Sequence, residues 1–219
     1  MSKENPLNLG FLVSRNTTGK TFNDVLVDTK SGRLAADIVM VVSDHPNIPS
    51  LTEKLIKEHE IPYYIWRLEN KESAGSRDIY SLALAELLDD AVDVAVMDGF
   101  STILSRPFMS RFSGVILNIH PGLVPDKRDE PFIFPDKTVA PWNRGLLKNK
   151  AVKNFLGGRY AGATVHVATE EPDFGPVLER RVIGVSPDDT VESLYPRIKV
   201  AEGEALLASL RKLASEKNQ

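Results

Sequence analysis

The chain has 219 residues, 42% of them hydrophobic, which is enough for one large domain with a sizeable core. Its net charge of -3 offers no general basic field to a polynucleotide, and the absence of cysteine excludes a disulfide framework, a thiolate nucleophile and a Cys-based metal site. The four histidines (His45, His59, His120, His166) lack the compact spacings that hold a metal, and nowhere do eighteen apolar residues run together. The expectation is a cytoplasmic protein with small-molecule partners, no nucleic acid, no membrane and no metal.

Five short apolar runs predict buried strands: Asn8 to Val13, Asp37 to Val42, Tyr63 to Leu68, Asp93 to Asp98 and Gly114 to Ile119. Helical patterns lie between them at Phe22 to Val27, Ser50 to Glu58 and Ser76 to Leu88. Strand alternating with helix, with strands apolar on both faces, predicts a Rossmann-like, mostly parallel α/β sheet flanked by helices. From Pro121 to Pro141 five prolines and mixed charge predict a loop or extended excursion. Two alternating runs follow, Ala161 to Thr169 and Val177 to Val185, and predict a C-terminal antiparallel extension. A C-terminal helix begins with Asp189 or Thr190 as N-cap and repeats Leu194, Ile198, Ala201, Ala205 and Leu206 at helical spacing; its last residues, "RKLASEKNQ", are expected to fray.

The first strand runs into "SRNTTGKTF". A GxxxxGK[ST] phosphate loop ending at Gly19-Lys20-Thr21 would need glycine at position 14, where Ser14 stands, so the motif of a nucleotide hydrolase is incomplete. Two readings remain for the stretch. It offers backbone donors to an anion at the start of the first helix, or it is an ordinary solvated loop.

Asn118 and His120 end the fifth apolar run, just before Pro121-Gly122. In such sheets ligands collect beyond the carboxyl ends of the strands, and residues two apart on a strand face the same way. An amide donor beside an imidazole can hold an oxygen that becomes negative, with Asp173, in the turn "EEPDFGP", as a candidate orienting acid. The residues alone equally allow Asn118 as a turn former and His120 as a satisfied structural histidine.

"LNIHPGLVP" followed by "GATVHVATEEPDFGPVLERR" resembles the folate-dependent formyltransferase family, and the upstream "DVAVMDGFSTILSRPFMSRFSG" is similar to that family's Gly-Phe-x-x-Ile-Leu segment at a matching distance. The resemblance covers nearly the whole chain. It implies a single formyltransferase domain over residues 1–219, with a nucleotide-binding-like half at 1–120 and a folate and active-site half at 121–219, which carries a long insert at 121–160. It implies Asn118, His120 and Asp173 as the catalytic group and 10-formyltetrahydrofolate as co-substrate. The folate would lie against Ser101, Thr102, Ile103 and Leu104 and the turn holding Ala168, Glu170 and Glu171. Gly19, Lys20, Thr21 and Phe22 would receive the acceptor's phosphate. The C-terminal helix is similar to that of family members that formylate a ribonucleotide amine in purine synthesis, which places Lys199 and Glu202 against the nucleotide.

In the implied reaction Asn118 and His120 donate to the oxygen of a tetrahedral adduct, while Asp173 orients His120, favours its charged form and takes the proton the amine releases. His166 is expected to be structural. A monomer or homodimer is implied. The tRNA-acting members carry a further C-terminal domain and the deformylases a further N-terminal one, and neither is expected here. A hydrolase that releases formate, an amino-sugar formyltransferase and a non-catalytic binding module are the alternatives. The sequence departs from the family in its first loop, in Thr102 where arginine is usual, in Gly203 where histidine follows the C-terminal glutamate, and in the length of the insert.

Overall fold

A computed structural model describes residues 5–69, 73–127, 129–146 and 148–218; Arg128 and Leu147, both within the insert anticipated at 121–160, lie outside the described residues. The chain divides into two compact units. One runs to Leu117 and resumes at Leu210; the other is Asn118–Ser209.

The first unit alternates strand and helix: β1 (Leu7–Val13), α1 (Lys20–Lys30), β2 (Ala36–Ser43), α2 (Ser50–Glu58), β3 (Tyr63–Ile65), α3 (Ala74–Asp89), β4 (Val94–Asp98) and α4 (Arg106–Arg111). Strand β1 pairs in parallel with β2 and with β4, and β2 pairs in parallel with β3. The strands are apolar on both faces because helices cover both: Leu9, Phe11, Leu12, Val41, Val42, Val94 and Val96 are all buried. Helix α1 presents Phe22, Val25 and Leu26 to that core at the spacing of one helical face.

Strand β5 (Val115–His120) carries the chain from the first unit into the second, and Asn118 opens the second. There follow α5 (Lys148–Lys153), β6 (Tyr160–Val167), β7 (Val177–Gly184) and α6 (Val191–Lys217). The strand order is β3-β2-β1-β4-β5-β6-β7, with β6 and β7 antiparallel. Leu123, Phe134, Val152, Phe155, Ala163, Leu194 and Ile198 pack into the core of the second unit.

The α/β architecture matches the expectation from the sequence, as do the antiparallel pair and the C-terminal helix. Three differences have physical causes. The tail does not fray: α6 runs to Lys217, whose Nζ donates to Asp93 at 2.7 Å and to the Pro6 carbonyl at 3.0 Å, and Arg211 pairs with Asp28 at 2.5 Å. Charged residues that read as a solvated end are anchors. Helices α4 and α5, six residues each, are too short to show a period in sequence. Strand β3 stops at Ile65 because the Trp66 amide is the last to reach β2, donating to the Ser43 carbonyl.

Phe22, assigned to the substrate loop from sequence, is completely buried and packs edge-on against Phe11 with ring centroids 5.1 Å apart. Its side chain is core, and only its main chain is available to a ligand. Phe22→Ala is expected to destabilise the protein by about 3–5 kcal/mol, as phenylalanine truncations in cores do. Ile79→Ala, at a position 72% exposed, should stay within about 0.5 kcal/mol of the parent. Urea unfolding of both variants checks this, and equal midpoints would contradict the packing.

Candidate active site

The second unit assembles its polar centre around one carboxylate. Asp173 Oδ1 accepts from Asn118 Nδ2 at 3.0 Å and lies 3.2 Å from His166 Nε2. Oδ2 accepts from the Gly145 amide at 2.8 Å and lies 3.3 Å from His120 Nδ1. Asp173 is 8% exposed, His120 3% and His166 1%.

Each element delivers its residue for a local reason. Strand β5 ends at His120, where Pro121 cannot continue a ladder, so Asn118 and His120 stand two apart at its tip. Strand β6 brings His166 near its own end, next to an irregularity in the pairing with β7 between Val165 and His166. The Val167 amide donates to the Pro176 carbonyl and closes the turn that carries Asp173. A Cβ on Gly175 would stand 1.7 Å from the Val167 oxygen, so only glycine lets the chain turn back this closely. Asp173 itself sits in the left-handed region at φ 60°. Aspartate tolerates that region better than most residues, at a cost of about 1–2 kcal/mol.

The structure thus brings together the three catalytic residues anticipated from sequence and adds three. His166, expected to be structural, is a fourth member of the cluster. Its Nδ1 meets the Val167 carbonyl at 2.9 Å, and its Nε2 lies 3.1 Å from Asn118 Nδ2. A histidine at the tip of a strand, one residue before its end here and at the end of β5, was the available signal. Gly145 and Asn143 come from the insert and carry no recognisable spacing. The Asn143–Gly145 turn donates to Asp173 through the Gly145 amide, while Arg144 covers the Phe174 ring at 4.1 Å and donates to the Pro125 carbonyl at 2.5 Å. The insert is therefore part of the site's frame.

Charge follows from these contacts. Burial works to raise the Asp173 pKa, but the hydrogen bond from His166, the proximity of His120 and the Gly145 amide outweigh it and hold the carboxyl at about 2. Asp173 is ionised and is a poor base. For His120, burial is the largest influence and pushes the imidazole below its ordinary value; Asp173 acts against it, His166 adds to it, and the Asn143 main chain acts against it. Asp173 favours the charged form of His120, as expected from sequence, while burial outweighs it and makes the net shift downward. One nearby carboxylate does not repay the desolvation of an almost fully buried ring.

The other sequence-predicted residues divide by unit. In the first, Gly19 caps α1 in the left-handed region at φ 76° with no side-chain cap, and Lys20 Nζ pairs with Asp24 at 2.6 Å. Thr21 is completely buried. Ser101 and Thr102 each donate an amide and a hydroxyl to one oxygen of Asp44, at 2.6–3.1 Å, so the threonine that replaces the family's arginine is committed to that carboxylate. Ile103 is 59% exposed and Leu104 is buried. In the second unit Ala168 is half-buried at the end of β6, and Glu170 and Glu171 are exposed. Lys199 and Glu202 are buried on α6 and pair with each other at 2.6 Å.

A family model described as "Formyl transferase" matches residues 8–210. The chain belongs to the formyl transferase family. The chain is 31% identical over 191 residues to the phosphoribosylglycinamide formyltransferase of Mycobacterium tuberculosis, covering 87% of this chain and 78% of that protein. It is 32% identical over 199 residues to the trifunctional purine biosynthetic protein adenosine-3 of Gallus gallus, covering 90% of this chain but only 18% of the length of that relative. Among solved structures, glycinamide ribonucleotide transformylase 1 from Symbiobacterium toebii superposes with a TM-score of 0.76 at 25% identity, over 99% of this chain and 94% of that one. No helix among the described residues is long and apolar enough to cross a membrane, and no group of three or more His, Cys, Asp or Glu there could hold a metal ion.

The charge assignments give a test in this formyl transferase. Because His120 has its pKa lowered on folding, the unfolded chain binds the proton first as pH falls, and stability declines below the ordinary imidazole value of about 6.5. Asp173 has its pKa depressed to about 2, so its contribution is complete above the unfolded value of about 3.9 and is lost only below that. Of these two groups, His120 is the one that titrates between pH 7.5 and 5.5. Unfolding free energy should fall over that window by at most about 1.4 kcal/mol per pH unit from this group. His120→Gln should flatten the dependence, and an undiminished slope would refute the assignment.

Proposed function

We propose that this protein transfers the formyl group of 10-formyltetrahydrofolate to the primary amine of glycinamide ribonucleotide, a step of purine synthesis carried out in the cytoplasm. The observation that carries the reading is the buried cluster of Asn118, His120 and Asp173, in which His120 has one ring nitrogen against the carboxylate and the other, Nε2, uncommitted. The likeness to the mycobacterial enzyme over most of both chains supports the choice of reaction.

The amine nitrogen attacks the formyl carbon, the carbonyl π pair moves onto oxygen, and a tetrahedral adduct forms. An uncharged His120 takes the proton from the new ammonium at Nε2. Asp173, already ionised, favours the remaining proton on Nδ1 and stabilises the imidazolium that results. The imidazolium then lies beside the oxyanion and returns its proton to folate N10 as the carbon–N10 bond breaks. Asp173 is therefore an orienting group; its pKa is too low for the proton-accepting role the sequence suggested. Asn118 fixes Asp173 through one amide hydrogen, and the other is the candidate donor to the adduct.

The remaining assignments belong to the same proposal. The amides around Gly19 with Lys20 and Thr21 receive the acceptor's phosphate, Lys199 and Glu202 serve the nucleotide, and the backbone at Ala168, Glu170 and Glu171 reads the pterin edge. Ser101 and Thr102, committed to Asp44, take part through their carbonyls, with Ile103 and Leu104 as apolar neighbours.

The test is incubation with 10-formyltetrahydrofolate and glycinamide ribonucleotide, following folate absorbance and the mass of the formylated product. Formate appearing without acceptor would instead mark a hydrolase. Asp173→Asn should lower kcat by about 10²–10⁴-fold while the protein stays folded. Its effect should overlap that of His120→Ala, so the double variant is little slower than the slower single one. Near-wild-type single-turnover chemistry in folded Asp173→Asn would defeat the catalytic assignment.

Lys20→Ala should raise the KM for the ribonucleotide by about tenfold or more, as loss of a charged hydrogen bond does, and leave the folate KM nearly unchanged. Equal changes in both would remove Lys20 from phosphate binding.

A further inference from the structure

Two buried nitrogens of the second unit belong to side chains that close on the same glycine. His120 Nε2 and Asn143 Nδ2 each lack a hydrogen-bond partner among the described residues, and their side chains belong to residues only 3% and 1% exposed. A Cβ built on Gly122 would stand 2.8 Å from His120 Nε2 and 2.7 Å from Asn143 Cβ. Glycine at 122 is what lets the two side chains close in from either side.

The direction of the Asn143 amide is fixed by its neighbours. Asn154 Nδ2 donates to the Trp142 carbonyl at 3.3 Å, which sets the Asn154 amide, and the same nitrogen donates to Asn143 Oδ1 at 3.1 Å. Asn143 therefore has its oxygen engaged and its NH₂ left over; an exchange of the two atoms would set donor against donor. A buried donor without a partner costs about 1–3 kcal/mol, and natural proteins seldom keep one without a use. The position of Asn143 is also tied to the reaction centre. Two residues on, the Gly145 amide donates to Asp173, and the Leu146 amide closes the turn onto the Asn143 carbonyl.

We infer that Asn143 is a further catalytic residue of this centre, whose Nδ2 donates to the formyl oxygen as it becomes negative. The inference rests on the formyl-transfer reading above. An uncharged His120 presents a lone pair at Nε2 and Asn143 presents hydrogens. The adduct offers the matching pair on neighbouring atoms, an ammonium N–H for the ring and an oxyanion for the amide.

Asn143→Ala and Asn143→Asp test this, the second keeping the size of the side chain while replacing its donor. Both should lower kcat by about 10²–10³-fold, the usual consequence of losing one oxyanion donor, with each KM within about threefold of wild type. Asn154→Ala, which removes the neighbour that turns the amide but leaves the donor in place, should lose much less. Thermal unfolding run alongside separates a structural role, which would lower Tm and leave turnover per folded molecule unchanged. Wild-type kcat in folded Asn143→Ala, or a KM effect with kcat unaffected, overturns the inference while formyl transfer stands. Absence of formyl transfer by the wild-type protein overturns the proposed function and the inference with it.

Discussion

A carboxylate taken out of water stays charged only if its surroundings replace what water gave it. Asp173 is in that position, and the second unit is arranged so that three different segments supply the replacement. The tip of β5 gives Asn118 and His120, the end of β6 gives His166, and the turn at 143–145 gives a backbone amide. Because these contacts come from three separate parts of the chain, the carboxylate cannot be satisfied until all of them have arrived. A buried carboxylate left without them would neutralise or force the site open. The charge on Asp173 thus reports on the folding of the unit as well as on its chemistry.

The same arrangement decides what His120 can do. A histidine drawn into a dry site beside one carboxylate could be a permanent imidazolium or a base waiting for a proton. Here burial is the larger influence and holds the ring's pKa below its ordinary value. In the proposed transfer Asp173 matters most after the ring has taken a proton, when the pair is charged on both sides and the interior dielectric strengthens the attraction. That is stabilisation realised late along the reaction, the kind that raises kcat without tightening the ground state.

The sequence disclosed the parts of the protein that obey a period and hid the parts that do not. Runs such as "DVAVMD" show strands apolar on both faces, and Asn118 and His120 stand out because polar residues at a strand tip contradict the run before them. Asp173 was legible from the Pro and Gly flanking its turn. Phe22 entered the first loop through the family resemblance, while its spacing from Val25 and Leu26 puts its side chain in the core. Lys217 and Arg211 read as a solvated tail because long-range ion pairs, here to Asp93 and Asp28, have no local signature. Asn143 was invisible for a related reason. It lies among prolines and charges in a stretch without period, and its meaning comes from Gly122, Asn154 and Asp173, each distant from it in sequence.

The free protein holds its reaction centre at a standing cost. Asp173 in the left-handed region and a buried amide without a partner each cost on the order of 1–3 kcal/mol. The core of the same unit can carry that. Leu123, Phe155, Leu194 and Ile198 are essentially inaccessible, and side chains of their kind contribute about 1.5–3 kcal/mol each on burial. On the inference drawn above, a ligand that brings an acceptor to Asn143 relieves the second of these costs, and one that also brings a donor satisfies His120 Nε2. A ligand without both groups leaves at least one of them unpaired. On that reading the centre discriminates by chemistry as well as by shape, because a site built to satisfy paired hydrogen-bonding groups rejects a partner lacking one of them far more strongly than an apolar pocket rejects a misfit.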